Sequence, residues 1–328
     1  MKAIRWHVAA IVAASFLFPL IVRSDYYQHV IILALIWVVI GSSWNLLAGF
    51  TGQVSFGHAI FFGLGAYTAG LCATKLGVSA WWGMAFGGPV ASLLGFVIGW
   101  ICFRLRGPYF ALATIAVGEI FRLFAVVWRS FTGGMQGILL MQTFRSKLPY
   151  YYLALFIALG CIWAIHTVMR SKWGYYFIAI REDQDAAECM GVNAFRYKSL
   201  SLIISSFFTG LAGAFYMNYM AFIDPEVVFS LHHISIMAIL VGIIGGVGTL
   251  WGPPLGAFIM VLLQETFRSS FFGLTPRWVS ELHVLVFGLL VIFVILFMAN
   301  GIVGDWNKIR RLWSSKAASA PVSIGKGP

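Results

Sequence analysis

Residues 28–48 read QHVIILALIWVVIGSSWNLLA, a run without Lys, Arg, Asp or Glu. An α-helix rises 1.5 Å per residue and bilayer hydrocarbon is about 30 Å thick, so about 20 apolar residues make one crossing. The run meets that length and reads as a membrane-spanning helix. Outward from it, 8–22, 57–74, 81–103, 108–128, 150–170, 199–221, 233–250, 252–269 and 282–301 read the same way. The expected fold class is all-α, a polytopic membrane protein of about ten transmembrane helices. The count is about eight if the short first run, or the pair 233–269 divided only by GTLWGPP, does not cross fully.

Composition agrees. The chain of 328 residues is 60% hydrophobic and 10% charged, with a mean hydropathy of +0.89. A soluble domain carries about 25% charged residues, so water cannot be the solvent for most of this surface. The net charge of +11 matters less than where the charges lie. With the N-terminus in the cytoplasm, 14 of the 22 Lys and Arg fall in cytoplasmic segments and 7 in external ones, with Arg122 inside a span. That bias orients the bundle and, with about ten crossings, puts both termini in the cytoplasm. The basic, apolar start could pass for a signal peptide, but the spans that follow favour an uncleaved first helix. Residues 1–312 form the expected transmembrane domain, with a long cytoplasmic loop at 171–198. The small, polar stretch 313–328 is expected to be a disordered cytoplasmic tail.

Several chemistries are excluded. There is no GxxxxGK[ST] loop, and the only Gly-Lys pair, Gly325-Lys326, lacks the preceding glycine. Any ATP hydrolysis must come from another subunit. Cys72, Cys102, Cys161 and Cys189 are scattered, with no CxxC spacing for zinc. His232 and His233 are adjacent and would point to different helix faces, so no metal and no cofactor is expected. No nucleophile–base pairing is evident, so no catalytic residue is assigned and the chain is not expected to be an enzyme.

Within the long loop, Arg181–Gly191 reads REDQDAAECMG and holds four of the chain's 11 acids: Glu182, Asp183, Asp185 and Glu188. Asp185 with Glu188 three residues on has capping-box spacing. Gly191 suits the position after a helix end, and Asn193 can cap the next helix. The stretch predicts a short helix of about one to two turns. Such a helix is either a solvated connector or a charged knob that docks into a partner.

Other features mark the bundle interior. Small residues four apart, such as Ala59/Gly63, Ala66/Gly70, Ser206/Gly210 and Thr209/Gly213, let helix backbones approach closely. The loop GFTGQVSFGH (49–58) and the segment GIIGGVG (242–248) are Gly-rich interruptions, which membrane depth tolerates only inside protein or along a cavity. They make Asn45, Gly52, Gln53, Ser55, His58, Gly245 and Gly246 candidate translocation-path residues. Glu119 joins them as an ionisable group inside a run, although Arg122 one turn on could simply neutralise it. Asp224-Pro225-Glu226 reads either as a turn or as part of an external docking surface.

Several motifs in order carry a family resemblance. Asp185-Ala186-Ala187 followed by Gly191 resembles the EAA…G loop of ATP-binding-cassette importer permeases, with Asp in place of Glu. REDQDAAECMGVNAFRYK (181–198), SWNLLAGFTGQVSFGHAIFFGLGAYTAG (43–70), GPYFALATIAVGEIFRL (107–123), TGGMQGI (132–138), GAFYMNYMAFIDPEVVFS (213–230) and ILVGIIGGVGTLWGPPLGA (239–257) are similar to the M-type permease subunit of branched-chain amino acid importers. The resemblance implies import of leucine, isoleucine and valine across a bacterial inner membrane by alternating access. Related permeases carry urea, short amides or aromatic acids, and an ion-coupled secondary transporter is the rival outside the family. It also implies partners: a second homologous permease subunit, two ATPase subunits and an extracytoplasmic solute-binding protein. On this reading Arg181, Glu182, Asp183, Asp185, Ala186, Ala187, Glu188 and Gly191 form the coupling segment that meets an ATPase.

Overall fold

The computed structural model describes residues 15–19, 22, 24–144, 146–268, 288 and 301–304. Most of the first expected span, nearly all of the run 282–301 and the tail 313–328 lie outside the described residues. So do both termini and, with them, the test of the ten-span count.

Ten α-helices of six or more residues organise the described residues. They are α1 (Asp25–Asn45), α2 (His58–Lys75), α3 (Ala80–Cys102), α4 (Pro108–Val127), α5 (Leu148–Arg170), α6 (Lys172–Glu182), α7 (Gln184–Cys189), α8 (Ala194–Met220), α9 (Met237–Gly245) and α10 (Gly252–Arg268). Five are long and apolar enough to cross a membrane: α1 with its extension to Phe50, α3, α4, α5 and α8. The run expected as one span over 233–250 is instead a π-helical turn, Leu231–Ile236, followed by the short α9. The described strands are two residues each: Ile138–Leu139 (β1) pairs antiparallel with Phe222–Ile223 (β2).

The loops sort into two ends, as successive crossings require. At one end, the α3–α4 turn reaches the α6–α8 connection through an Arg106–Asp185 ion pair of 2.7 Å. Arg181 there donates to the Gly49 carbonyl beyond α1 at 3.0 Å. At the opposite end β1 meets β2, Lys75 donates to the Ser130 carbonyl and Lys147 to that of Asp25.

α8 is the central helix, packed on α2 and α3, while α1 gathers α5, α9 and α10. The small-residue ridges explain the first group. A Cβ on Gly213 of α8 would sit 1.9 Å from the Phe62 carbonyl oxygen of α2, so these backbones are in direct contact. Lipid gives helices no hydrophobic reason to associate, and close backbone packing takes that place. On α2 the closest approach falls at Gly65, whose added Cβ would be 1.8 Å from the Gly210 carbonyl oxygen. α4 is the outlier: it buries only Phe110, Thr114 and Ala125.

Candidate functional site

The acidic stretch folds as a broken helix. Ser171 caps α6 by accepting from the Trp173 amide at 3.2 Å. α6 ends at Glu182, and Asp183 is extended, with φ −155°. The Asp183 carboxylate then accepts the Ala186 amide at 3.0 Å. Asp183, rather than Asp185, is therefore the N-cap of α7. Asp185 lies in the first turn, where its charge faces the helix's positive end. The reason is that α6 carries on through Glu182, so the chain must break one residue later and Asp183 takes the extended conformation.

The far end closes as expected. Gly191 has φ +85° and donates to the Glu188 carbonyl at 3.0 Å, while Val192 donates to that of Ala187 at 3.0 Å. The pair is a Schellman cap, which requires a residue in the left-handed region. Asn193 caps α8 by accepting the Arg196 amide at 2.9 Å. Ala187 is buried with Ile180 and Ala194 and seats the helix. Asp185, Ala186 and Glu188 face outward, and Met190 is 85% exposed.

The four acids divide their work. Asp183 caps. Glu182 accepts from its neighbour Arg181 at 2.6 Å. Asp185 pairs with Arg106, and Glu188 lies 3.9 Å from the same guanidinium. Gln184 joins them, donating to Glu188 at 2.8 Å and accepting from the buried Lys198 of α8 at 2.5 Å. The short helix is thus tied to the α3–α4 turn and to α8. Beside it, Glu188, Gly191 and Phe195 line an open groove of about 360 Å³.

Arg181 connects this end to the Gly-rich interior. α1 runs on into a π-helical turn, Leu46–Phe50, and Arg181 donates to Gly49 within it. Arg181 also closes over Gly52 (φ +74°), where an added Cβ would lie 3.1 Å from the Arg181 Cα. Asn45, the last residue of α1, holds the second Gly-rich interruption: its Nδ2 donates to the Thr249 carbonyl at 2.8 Å and its Oδ1 accepts the Gly248 amide at 2.8 Å. Gly245 meets the Gly252 carbonyl at the α9–α10 crossing, and Gly246 has φ +126°.

Deeper in, Trp44 donates its indole N–H to the Ser55 carbonyl at 2.9 Å. The Ser205 hydroxyl donates to the Ser43 carbonyl at 2.8 Å, so the His58 Nε2, 2.8 Å from Ser205 Oγ, must be the donor in that contact. The structure therefore brings together Asn45, Gly52, Ser55, His58, Gly245, Gly246 and Arg181. Asn45, Ser55 and His58 are buried in packed protein, Gly52 is exposed and Gln53 half-buried.

Glu119 is not part of this assembly. It sits on the exposed side of α4 with Arg122, which donates to it at 3.0 Å and also pairs with Glu226 from the Asp224-Pro225-Glu226 turn. The sequence reading missed Glu265. It is a buried acid in α10 whose Oε2 accepts from the Tyr26 hydroxyl at 3.3 Å. The signal was Gln264-Glu265 inside an otherwise apolar run.

Comparison with known proteins follows the same lines. A family model described as the permease component of branched-chain amino acid transport systems matches residues 6–295. The Escherichia coli K12 permease protein LivM of the high-affinity branched-chain amino acid transport system is 26% identical over 301 residues, which is 83% of this chain and 68% of LivM. LivM of Salmonella typhimurium is 25% identical over 315 residues, 87% of this chain and 72% of the relative. LivH of Escherichia coli K12 is 24% identical over 298 residues, 81% of this chain and 93% of LivH. No solved structure gives a match.

Proposed function

The chain belongs to the family of permease components of branched-chain amino acid transport systems, and we propose that it is one membrane subunit of an ATP-driven importer for leucine, isoleucine and valine. The observation that carries the mechanism is α7: a capped helix of six residues, outward-facing on one side and tied to the bundle on the other. An ATPase subunit grips the exposed face through Asp185, Ala186 and Met190, with the adjoining groove as part of the seat. Its movement on ATP binding passes through Arg106 to the α3–α4 turn, through Lys198 to α8, and through Arg181 to the seam of Gly49 and Asn45. Those contacts are short and polar, so they transmit displacement without covalent chemistry.

The end bearing α7 is the cytoplasmic end of a bacterial inner-membrane protein, as the excess of Lys and Arg there supports. A second, homologous permease pairs with the exposed face of α4, where Glu119, Arg122 and Glu226 need a polar neighbour rather than lipid. The extracytoplasmic binding protein docks on the opposite end, near β1 and β2, and does most of the solute selection. The seam at Asn45, Gly52, Gln53, Ser55, His58, Gly245 and Gly246 bends as the path opens. Labelled leucine uptake by proteoliposomes holding the whole complex, with the cognate binding protein and internal ATP, tests this. Leucine should accumulate and urea should not. Uptake that survives ATP depletion but collapses with the proton gradient would overturn the importer reading. A Cys at Glu182 or Asp185 should crosslink to the ATPase subunit.

A further inference from the structure

A second cavity, of about 360 Å³, lies where α3 and α8 leave the bilayer beside α6. Its lower part is apolar: Phe96 of α3, itself 46% exposed, faces Leu200 and Ile203 of α8. Its upper part is polar, and the polar groups are donors. Arg196 makes no ion pair among the described residues. Trp173 brings an indole N–H, and the Asn193 amide, whose oxygen caps α8, keeps its N–H₂ toward this end. Ser199, 5% exposed, lies behind them in the cavity wall with its hydroxyl buried. No carboxylate lines the cavity among the described residues. A pocket that is donor-lined above, apolar below and open at the membrane boundary matches one chemistry, an anionic headgroup carrying acyl chains.

We propose that this cavity binds an anionic phospholipid of the cytoplasmic leaflet. The phosphate accepts from the Arg196 guanidinium and the Trp173 indole, and an acyl chain lies along Phe96, Leu200 and Ile203. Trp173 sits at headgroup depth, as amphipathic rings do at membrane interfaces. The site adjoins the coupling end directly, because Asn193 and Phe195 line both this cavity and the groove beside α7. A bound lipid therefore braces the first turn of α8 against the segment that an ATPase would move.

The test is lipid binding to the full-length chain purified with its partner subunits, delipidated and titrated with phosphatidylglycerol under native mass spectrometry. One tightly held phosphatidylglycerol per chain is expected, with phosphatidylcholine held more weakly. Arg196→Gln should weaken it about five- to tenfold, from the loss of one cation near the headgroup. Ile203→Trp fills the acyl groove without touching the donors and should weaken it comparably. Arg196→Lys should retain most of the binding. Either of the first two variants suffices if the other fails to assemble. Equal affinity for phosphatidylglycerol in wild type and variants would overturn the proposal. So would equal affinity for phosphatidylcholine, or displacement by millimolar inorganic phosphate, which would mark a free-phosphate site.

Discussion

Two polar regions of this molecule are built by opposite rules. The stretch Arg181–Gly191 carries full charges, holds them at the surface and satisfies them with ion pairs and caps. The seam of Ser43, Asn45, Ser55, His58 and Ser205 is just as polar but uses neutral groups, and these residues are buried. A charge removed from water costs several kcal/mol, whereas a neutral amide or hydroxyl costs little once it is hydrogen-bonded. The charged region can therefore change partners when something docks on it. The neutral seam can only bend with its hydrogen bonds intact.

The largest effect should come from making the seam obey the wrong rule. Asn45→Asp keeps the side-chain shape, removes the donor to Thr249 and adds a buried charge. A buried charge without a partner costs about 3–5 kcal/mol. We expect loss of most folded protein, read as yield and thermal stability of the detergent-purified chain. A variant with native yield and stability would mean that the seam is wet, and the contrast between the regions would fail.

Gly191→Val should have an intermediate effect of a different kind. The position has open space, since nothing lies within 4 Å of an added Cβ, but φ is +85°. Left-handed backbone costs a non-glycine residue about 1–2 kcal/mol, and more with β-branching. The Schellman cap should loosen and α7 lose its fixed direction. Leucine uptake should fall more than about tenfold while the other subunits still copurify, since 1.4 kcal/mol corresponds to about tenfold. Wild-type uptake would show that the end of α7 needs no sharp stop.

The smallest effect on stability should follow Arg106→Ala. Arg106 and Asp185 are 59% and 75% exposed, and such surface pairs are worth about 0–1 kcal/mol. Stability should hardly change, and the small difference between wild type and variant should shrink further as salt is added, because salt screens the wild-type pair. A stability loss as large as that of Asn45→Asp would mean that the charged region is structural rather than exchangeable.

The same contrast explains what was legible in the residues. Caps depend on a few adjacent side chains, so the short helix, the role of Gly191 and that of Asn193 could be read locally. The cap itself fell two residues from its expected place: Asp185 has the capping-box spacing, but Asp183 makes the bond. Where α6 stops decides between them, and α6 is anchored by Phe177 and Ile180 packing inward. The ridges of Gly210 and Gly213 could be read from their spacing, but their partners on α2 are Gly65 and Phe62, set by how the two helices rotate against each other. The Asn45 bridge joins residues more than 200 positions apart, and no local pattern encodes such a pairing. Glu265 was hidden by the apolar run around it, and the Tyr26 hydroxyl that bonds to it comes from a helix 239 positions away.

By itself, the sequence determined that this chain is an apolar, helical membrane protein, where its five long apolar helices fall and which stretch gathers the acids. Those follow from transfer free energies summed along short segments, and such sums do not depend on the fold. Only the tertiary structure decided that the Asn45 amide ties the end of α1 to the second Gly-rich interruption, that Arg181 ties Gly49 to the acidic helix, and that Glu119 stands apart on α4. Those depend on which helix faces meet. In lipid that choice is made by close backbone packing and by satisfying each buried polar group, both of which exist only once distant segments are side by side.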